Sequence, residues 1–280
     1  MTRGRFRFGA VAAPALATDM GSEQWQATAR RAEELGYSTL LMPDGTQLPA
    51  TLPTLAVAAT VTQRLRVGSF VLASPLHDPR VLAWEAHSLT QLTGGRFEMG
   101  IGTGHPDVVK RQSVELYGRS PLPGAERLAR VGETIDRLRE LDGDRRTPVL
   151  LTAAGPRAIA MAAEKADIVG IAAAATSSRE QVREMVDGLR SAAGSHFDEL
   201  ELSMNLFVVG DEVPEWTQRF VGVDAATLRA ADSLSMLRGS TGEMVDELKR
   251  RRDLLGVSYL TVQSAFMAAL APVVERLAGT

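Results

Sequence analysis

Hydrophobic and polar positions along the chain follow two spacings in turn. Short aliphatic or β-branched runs, typical of buried strands, alternate with longer segments whose apolar positions recur with helical period. Eight such rounds predict a parallel sheet flanked by helices. The predicted strands are residues 6–11, 39–42, 65–72, 97–101, 149–152, 168–171, 200–209 and 259–262.

The predicted helices have recognisable ends. Ser22 caps a helix that ends at Gly36, and Pro79 opens another that the pair Gly94-Gly95 ends. The remaining helices are predicted over residues 52–60, 127–141, 178–193, 244–255 and 266–277, with a further one opening at Pro156. A Gly- and Pro-rich stretch at 102–124 is predicted as a long loop, and 214–223 as an insertion.

The length of the chain helps to choose between two architectures. Alternating strands and helices are compatible with an open doubly wound sheet or with a closed barrel. A (β/α)8 TIM barrel needs roughly 250 residues, and the chain has 280. We therefore predict an α/β protein consisting of one (β/α)8 TIM barrel domain over residues 1–280.

Composition narrows the class of protein. Lys and Arg number 31 against 34 Asp and Glu, and no basic face stands out, so a nucleic-acid partner is not expected. The chain has no cysteine, which excludes disulfides and thiolate chemistry, and its four histidines lack a metal-binding spacing. No apolar run reaches the roughly 18 residues of a membrane span. With no signal-peptide pattern either, we expect a cytoplasmic protein that contacts no membrane.

In a β/α barrel, the residues just past the strands face the ligand. Asp44 follows the second strand in a turn-forming stretch and is either a catalytic carboxylate or a turn residue. Phe70, Val71 and Ala73 end the third strand, where apolar side chains can wall an aromatic ligand or pack in the core. These positions are therefore candidates for the site.

The next strand ends supply small and titratable residues. The fourth strand leads into Gly102, Thr103, Gly104 and His105. Glycines let the backbone approach a ligand, and an imidazole exchanges protons near neutral pH, so His105 is a candidate acid or base. Ala172, after the sixth strand, begins a run of four alanines that leaves room for a flat ring or packs against a helix.

The fifth strand is followed by Ala153, Ala154, Gly155, Pro156 and Arg157, which lead directly into a helix. Free amide groups and the positive end of the helix macrodipole favour an anion at such a place. The guanidinium of Arg157 adds a formal positive charge. The stretch therefore fits a phosphate cradle, although a β-to-α turn without a ligand has the same pattern.

Four stretches resemble the bacterial-luciferase-like family of flavin-dependent oxidoreductases. Residues 78–104 read DPRVLAWEAHSLTQLTGGRFEMGIGTG, with the family's Pro-led helix, Gly-Gly-Arg-Phe and Gly-x-Gly strand end in order. Further matches are LGYSTLLMPD at 35–44, LLTAAGPRAIAMAAEKADIVG at 150–170 and GSTGEMVDELKRRRDLLGVSYLTV at 239–262. The resemblance covers nearly the whole chain and is closest to the branch that uses the deazaflavin coenzyme F420.

This resemblance implies places for the cofactor. The strand end at Phe70 and Val71 would back the tricyclic ring, across a non-proline cis peptide as in relatives. The loop 102–104 would border the cofactor, and the stretch 154–157 would bind its phosphate. These expectations agree with the helix-terminus argument made from the residues themselves.

The resemblance also implies two catalytic candidates. Asp44 matches a position near ring and substrate, and His105 stands where sugar-phosphate dehydrogenase relatives place a catalytic Glu. Relatives commonly have Asp-His after the second strand, whereas Gly45 follows Asp44 here, so a histidine base is missing from that position. The segment 141–149 is also shorter than in many relatives.

Three functions follow as hypotheses. The leading one is an F420-dependent oxidoreductase that transfers a hydride between the deazaflavin and a small-molecule substrate. The second is an FMN-dependent luciferase-like monooxygenase, and the third is a protein that binds flavin or deazaflavin without turnover. A metal hydrolase lacks the clustered ligands it needs. A homodimer is expected because dimers are common among relatives.

Overall fold

A computed structural model describes residues 4–12, 21–118, 120, 122–153, 155–212, 214, 215, 218 and 222–280. The strands are β1 (Arg7–Val11), β2 (Thr39–Met42), β3 (Arg66–Ser69), β4 (Leu72–Ala73), β5 (Phe97–Gly102), β6 (Val149–Ala153), β7 (Ile168–Ile171), β8 (Glu201–Leu206), β9 (Val208–Val209), β10 (Met236–Leu237) and β11 (Val257–Gln263). The helices are α1 (Ser22–Glu34), α2 (Thr51–Thr60), α3 (Pro79–Leu92), α4 (Pro106–Tyr117), α5 (Gly124–Asp142), α6 (Pro156–Lys165), α7 (Arg179–Ala193), α8 (Ala225–Ala230), α9 (Thr241–Leu255) and α10 (Met267–Leu277).

The main sheet closes on itself. Its strands follow the order β3-β2-β1-β11-β8-β7-β6-β5-β4, and an additional pairing of β3 with β5 completes the ring. All neighbours are parallel, for example Arg7 of β1 opposite Tyr259 of β11 and Val67 of β3 opposite Phe97 of β5. With β3 and β4 counted as one interrupted strand, the barrel has eight, so the predicted TIM barrel is confirmed and the open sheet is wrong.

Alternation along the strands divides the core into two layers. Side chains such as Phe8, Leu40 and Phe97 are completely buried in the layer between strands and helices. The barrel interior has its own small apolar cluster of Val11, Leu41, Leu150, Ile168 and Tyr259. Most of the apolar core therefore lies between the strands and the helices, and the apolar part of the barrel interior is small.

One interior glycine shows how tightly the strands pack. A Cβ added at Gly100 would lie 2.0 Å from the carbonyl oxygen of Ser69, well inside van der Waals contact. Glycine at this position is therefore a requirement of packing between β5 and β3.

Charged side chains close the end of the barrel at which the strands' amino termini lie. We call this cluster the barrel floor, and it consists of Arg7, Arg66, Glu98 and Glu201. Glu98 is 2% exposed and pairs with Arg7 and, at 2.5 Å, with Nε of Arg66. Arg7 also donates to Glu201 at 2.6 Å and lies 4.4 Å above the Tyr259 ring. Opposite charges thus meet one another under the apolar cluster.

The predicted third strand, 65–72, is interrupted in the structure. β3 ends at Ser69, and β4 begins at Leu72 and pairs with β5. The peptide bond between Phe70 and Val71 is cis, as the resemblance implied. These two residues therefore leave the strand ladder at the end where a ligand is expected.

The predicted loop 102–124 is wrong, because α4 occupies residues Pro106–Tyr117. Pro106 stands at the first helical turn, Asp107 follows it, and Gly118 ends the helix with φ +63°. Val109 and Gln112 of this helix are fully buried. The Gly and Pro residues that suggested a loop are the start and stop signals of a helix.

The predicted strand 200–209 is two strands. β8 belongs to the barrel, whereas β9 pairs with β10, which was not predicted, in a separate two-stranded sheet. Half of the predicted insertion 214–223 lies outside the described residues. None of the described helices combines the length and the apolarity that crossing a bilayer demands.

Candidate active site

The barrel mouth is the end at which the strands' carboxyl termini lie, and two neighbouring cavities open there. The β5–β6 cavity, about 370 Å³, is lined by Val71, by residues 102–105 and by Ala158 of α6. The β7–β8 cavity, about 180 Å³, is lined by Phe70, Ala172 and Asn205. Thr152 of β6 lines both, so the two cavities adjoin.

Phe70 and Val71 are consecutive residues that face different cavities. Both also pack, partly buried, against the apolar cluster of the barrel interior. They form an apolar wall that borders both cavities, which is the place and the polarity predicted for the ring-backing strand end. Val71 and Ala158 share a cavity, so this wall and the first turn of α6 lie on the same end of the molecule.

The glycine that ends β5 and the one that follows it serve the protein's own packing. A Cβ at Gly104, whose φ is +70°, would lie 2.3 Å from Cγ2 of Val109, and one at Gly102 would lie 3.2 Å from Cγ2 of Val71. The Gly-x-Gly-x-Gly spacing therefore needs no ligand to explain it. The same lack of side chains nevertheless leaves backbone at the wall of the β5–β6 cavity.

The predicted phosphate cradle lies at the start of α6. Gly155 is the N-cap residue, with φ +82° and ψ 160°, a backbone region that is essentially restricted to glycine. A Cβ there would point into open space, and no side chain caps the helix. Arg157 is exposed beside it. The first turn therefore presents amide donors without a side-chain acceptor. Ala153 ends β6, and Ala154 lies outside the described residues.

Asp44 is 10% exposed and its carboxylate is fully engaged. It accepts hydrogen bonds from the Ala73 amide at 3.0 Å and from the Thr51 hydroxyl at 3.1 Å, and it lies 2.7 Å from Nε2 of His77. Burial alone raises the pKa of Asp44, but the hydrogen bonds from His77, Ala73 and Thr51 outweigh it and hold that pKa below its ordinary value. These contacts fit the turn-residue interpretation of Asp44.

His77 was missed as a site residue. The sequence lacks a histidine after Asp44, yet the loop before α3 brings the imidazole of His77 to that carboxylate. Both side chains line a third cavity of about 360 Å³ beside α2 and α3, which does not include the apolar wall. Asp44 and His105 thus line different cavities. The Asp44 carboxylate instead accepts a hydrogen bond from the backbone amide of Ala73.

His105 lies where a proton donor is expected. It is the N-cap residue of α4, its imidazole is exposed, and it makes no cap hydrogen bond with its own side chain. It lines the β5–β6 cavity beside Thr103, whose carbonyl oxygen accepts from Arg127 at 3.4 Å. Of the two predicted catalytic residues, His105 is the one that shares a cavity with Val71 of the apolar wall.

Polar residues of β8 were also missed. Ser203 and Asn205 point into the barrel and line the β7–β8 cavity. The signal was present, because Glu201, Ser203 and Asn205 alternate with Leu202 and Met204, which is the period of a strand with one polar face.

Two further observations limit the kind of site. Within the part of the chain that the structure describes, no group of three His, Asp or Glu side chains could hold a metal ion. A further cavity, about 450 Å³, lies at the floor end around Gly4, Leu202 and Ser258. It contains none of the predicted site residues.

These features define a β/α-barrel protein whose mouth offers a ligand-sized cavity beside an uncapped helix. The family model described as luciferase-like monooxygenase matches residues 1–231. The chain therefore belongs to the luciferase-like monooxygenase family, a family of enzymes, and the family resemblance is confirmed.

Individual relatives are distant. A 4-hydroxyprotoasukamycin monooxygenase of Streptomyces nodosus subsp. asukaensis is 33% identical over 150 residues, covering 50% of this chain and 38% of its own length. An F420-dependent glucose-6-phosphate dehydrogenase of Nakamurella multipartita is 28% identical over 250 residues, covering 75% and 70%. The chain spans well under two thirds of the monooxygenase.

Solved structures share the fold. An F420-dependent secondary alcohol dehydrogenase in complex with an F420-acetone adduct superposes with a TM-score of 0.72 at 16% identity, covering 98% of both chains. A long-chain alkane monooxygenase gives a TM-score of 0.76 at 12% identity, covering 99% of this chain and 92% of its own. At these identities the likeness shows the barrel fold alone.

Proposed function

We propose that the protein is a coenzyme F420-dependent oxidoreductase that transfers a hydride between the deazaflavin and a small organic substrate. The observation that carries the proposal is the β5–β6 cavity, which joins the apolar wall at Val71 to the first turn of α6 at Ala158. A planar ring with a phosphate on its side chain needs these two features in one continuous space.

The residues present fit such a group. The wall offers the apolar side chains of Phe70 and Val71 to a flat ring. Gly155 leaves space in front of α6, the helix lacks a side-chain cap, and Arg157 supplies a positive charge. Phosphate groups bind helix N-termini of this kind because amide donors and the macrodipole point at them.

Bound F420 would supply two-electron hydride transfer, and the protein would do the rest. The apolar wall would orient the ring and exclude water from one of its faces. The first turn of α6 would hold the phosphate. The His105 imidazole would give or take the proton that accompanies hydride transfer at the substrate. Asp44 would act through structure, since its contact with the Ala73 amide anchors the strand end that follows the wall.

A second candidate function is an FMN-dependent monooxygenase. The relative that supports it is the Streptomyces nodosus monooxygenase, at 33% identity. A phosphate cradle suits FMN as well as F420, so only the ring and its partners separate the two. A third candidate, binding without turnover, is supported by Gly45, where relatives commonly have the histidine of an Asp-His pair.

Fluorescence titration tests the choice. Purified protein is titrated separately into F420 and FMN, and we expect quenching of F420 only. Quenching of FMN alone would replace the leading proposal with the monooxygenase. Tight F420 binding with background oxidation of reduced F420 across enones, imines, ketones and sugar phosphates would favour the non-catalytic protein. The homodimer and the cytoplasmic location stay predictions, and sedimentation velocity would test the first.

A further inference from the structure

The β7–β8 cavity has an uncharged lining that is mostly apolar, with residues such as Phe70, Ile171 and Val182, and that includes a few polar side chains. Hydroxyl groups of Thr152, Ser203 and Ser235 line it together with the Asn205 carboxamide. Among the described residues that line this cavity, none carries a formal charge or an imidazole. A phosphate or carboxylate ligand would be desolvated there without a cation to pair with, which is strongly unfavourable.

Among the polar residues that line this cavity, Asn205 is the one for which a hydrogen bond within the protein shows which amide atom accepts and which is left to donate. Thr261 of β11, directly opposite in the strand register, donates its hydroxyl to Oδ1 of Asn205 at 3.0 Å. The Oδ1 atom is therefore an acceptor, and Nδ2 is left as a donor with no acceptor among the described residues. Thr261 is fully buried, so the orientation of the amide is held from the protein side.

Asn205 also lies across the mouth from the apolar wall. Phe70 follows β3, whereas Asn205 belongs to β8, four strands away around the ring, and both line the β7–β8 cavity. A ligand in this cavity contacts the apolar wall on one side and an amide donor on the other. That arrangement suits a small molecule with an apolar body and one hydrogen-bond acceptor.

We propose that the β7–β8 cavity binds an uncharged carbonyl compound, a ketone or an enone, whose oxygen accepts a hydrogen bond from Nδ2 of Asn205. The proposal rests on the proposed function for its chemistry. The electrophilic carbon of the substrate gains a hydride from reduced F420, which is thereby oxidised, and a C–H bond forms. The π electron pair moves to oxygen, where the Asn205 donor stabilises the developing negative charge. A proton from His105 or water completes the alcohol, or the saturated ketone from an enone.

Equilibrium binding of substrate-like probes tests the site without turnover. Saturation-transfer NMR compares cyclohex-2-en-1-one, cyclohexanecarboxylate and glucose 6-phosphate on the protein with and without F420. The chain has no cysteine, so the enone cannot be captured by a thiol. We expect the enone to bind and both anions to bind at least tenfold more weakly.

Two variants locate the contact. Asn205→Asp keeps the shape of the side chain and the acceptor for Thr261 but removes the donor, and we expect enone affinity to fall about tenfold or more. Thr261→Val removes the group that orients the amide, and we expect a smaller loss of about threefold. Gln24→Glu, the same change of amide to carboxylate on the exposed surface of α1, is the matched control and leaves binding unchanged.

The outcomes separate this inference from the proposed function. Enone binding that is insensitive to Asn205→Asp, or glucose 6-phosphate binding at least as tightly as the enone, overturns the inference even if F420 is quenched. Loss of enone binding in Asn205→Asp together with absent F420 quenching leaves the carbonyl site standing and removes the proposed redox function. A urea midpoint equal to that of the wild type reports that the variant is folded, whether or not F420 binds.

Discussion

The two ends of the barrel interior handle polarity in opposite ways. At the floor, Glu98 is 2% exposed and accepts hydrogen bonds from two arginines, so each charge finds an opposite charge within the protein. At the mouth, the Asn205 amide and the uncapped first turn of α6 keep donors without a described protein acceptor.

This difference separates stability from function along a single barrel. Removing one of the charges buried at the floor leaves its partners buried without an opposite charge, which is strongly destabilising. Donors left free at the mouth contribute little to folding and are available to a ligand. A substitution at the floor should therefore change unfolding, whereas one at the mouth should change binding or turnover.

The largest effect is expected at Glu98. Glu98→Gln removes the negative charge that pairs with Arg7 and Arg66, so Arg7 keeps Glu201 as a partner and Arg66 loses its described ion pair. We expect the free energy of unfolding to fall by about 3 kcal/mol, measured by urea denaturation at pH 7. Glu164→Gln, at an exposed position of α6, serves as the control with a change within about 0.5 kcal/mol. A loss below about 1 kcal/mol at Glu98 would contradict the described floor.

The next effect is expected at His105, in the mouth. His105→Ala removes the imidazole that we assign to proton transfer, and we expect turnover of reduced F420 with an enone to fall about 100-fold. Quenching of F420 fluorescence and the urea midpoint should not change, because this exposed imidazole does not cap α4. His196→Ala, at the floor end, is the matched control. Turnover within threefold of wild type would remove His105 from the chemistry.

Features that depend on consecutive residues were the ones that the sequence predicted best. Strand and helix periods are local properties, so the alternation of elements predicted the barrel before any contact was known. Gly155 and Arg157 were found in the same way, because a strand end followed by a helix start is visible in consecutive residues. Pro106 and Gly118 were misinterpreted, since the same residue types open and end helices as well as loops.

Contacts between distant segments were beyond that reasoning. His77 reaches Asp44 across 33 positions, and Thr261 reaches Asn205 across 56. Both depend on which strands become neighbours when the sheet closes, which no local pattern specifies. A histidine therefore lies beside Asp44 in space, although none directly follows it in the sequence.

Asp44 gives an intermediate effect with a characteristic pH dependence. Asp44→Asn weakens the hydrogen bonds from His77, Ala73 and Thr51, and we expect a loss of about 2 kcal/mol in unfolding free energy at pH 7. The pKa of Asp44 is lowered in the folded protein, so its contribution is complete above the ordinary value near 3.9 and is lost as pH falls through the folded value.

The measurement is urea denaturation of both proteins at pH 7, 5 and 3.5, in which the gap between them should narrow at the lowest pH. Asp246→Asn, at an exposed position of α9, is the control and should show a small gap. A gap that widened on acidification would mean that Asp44 is not held as a carboxylate.

The smallest effect is expected at Glu201, on the outer side of the floor. Its side chain is 22% exposed, against 2% for Glu98, and it pairs with Arg7 alone. Burial raises the pKa of Glu201, and the attraction to Arg7 does not cancel that effect. The charged form is therefore poorly stabilised in the folded protein, and we expect Glu201→Gln to cost less than about 1 kcal/mol at pH 7.

The sign of the pH dependence is then opposite to that of Asp44. A carboxyl whose pKa is raised on folding contributes stability below its ordinary value near 4.3 and loses it as pH rises through the folded value. As the pH falls from 7 to 4.5, the unfolding free energy of the wild type should therefore rise relative to that of Glu201→Gln. Below pH 4 it should instead fall relative to that of Asp44→Asn. A loss at Glu201 as large as that at Glu98 would show that the floor is one uniformly buried cluster, because partial exposure would then make no difference to what its charges contribute.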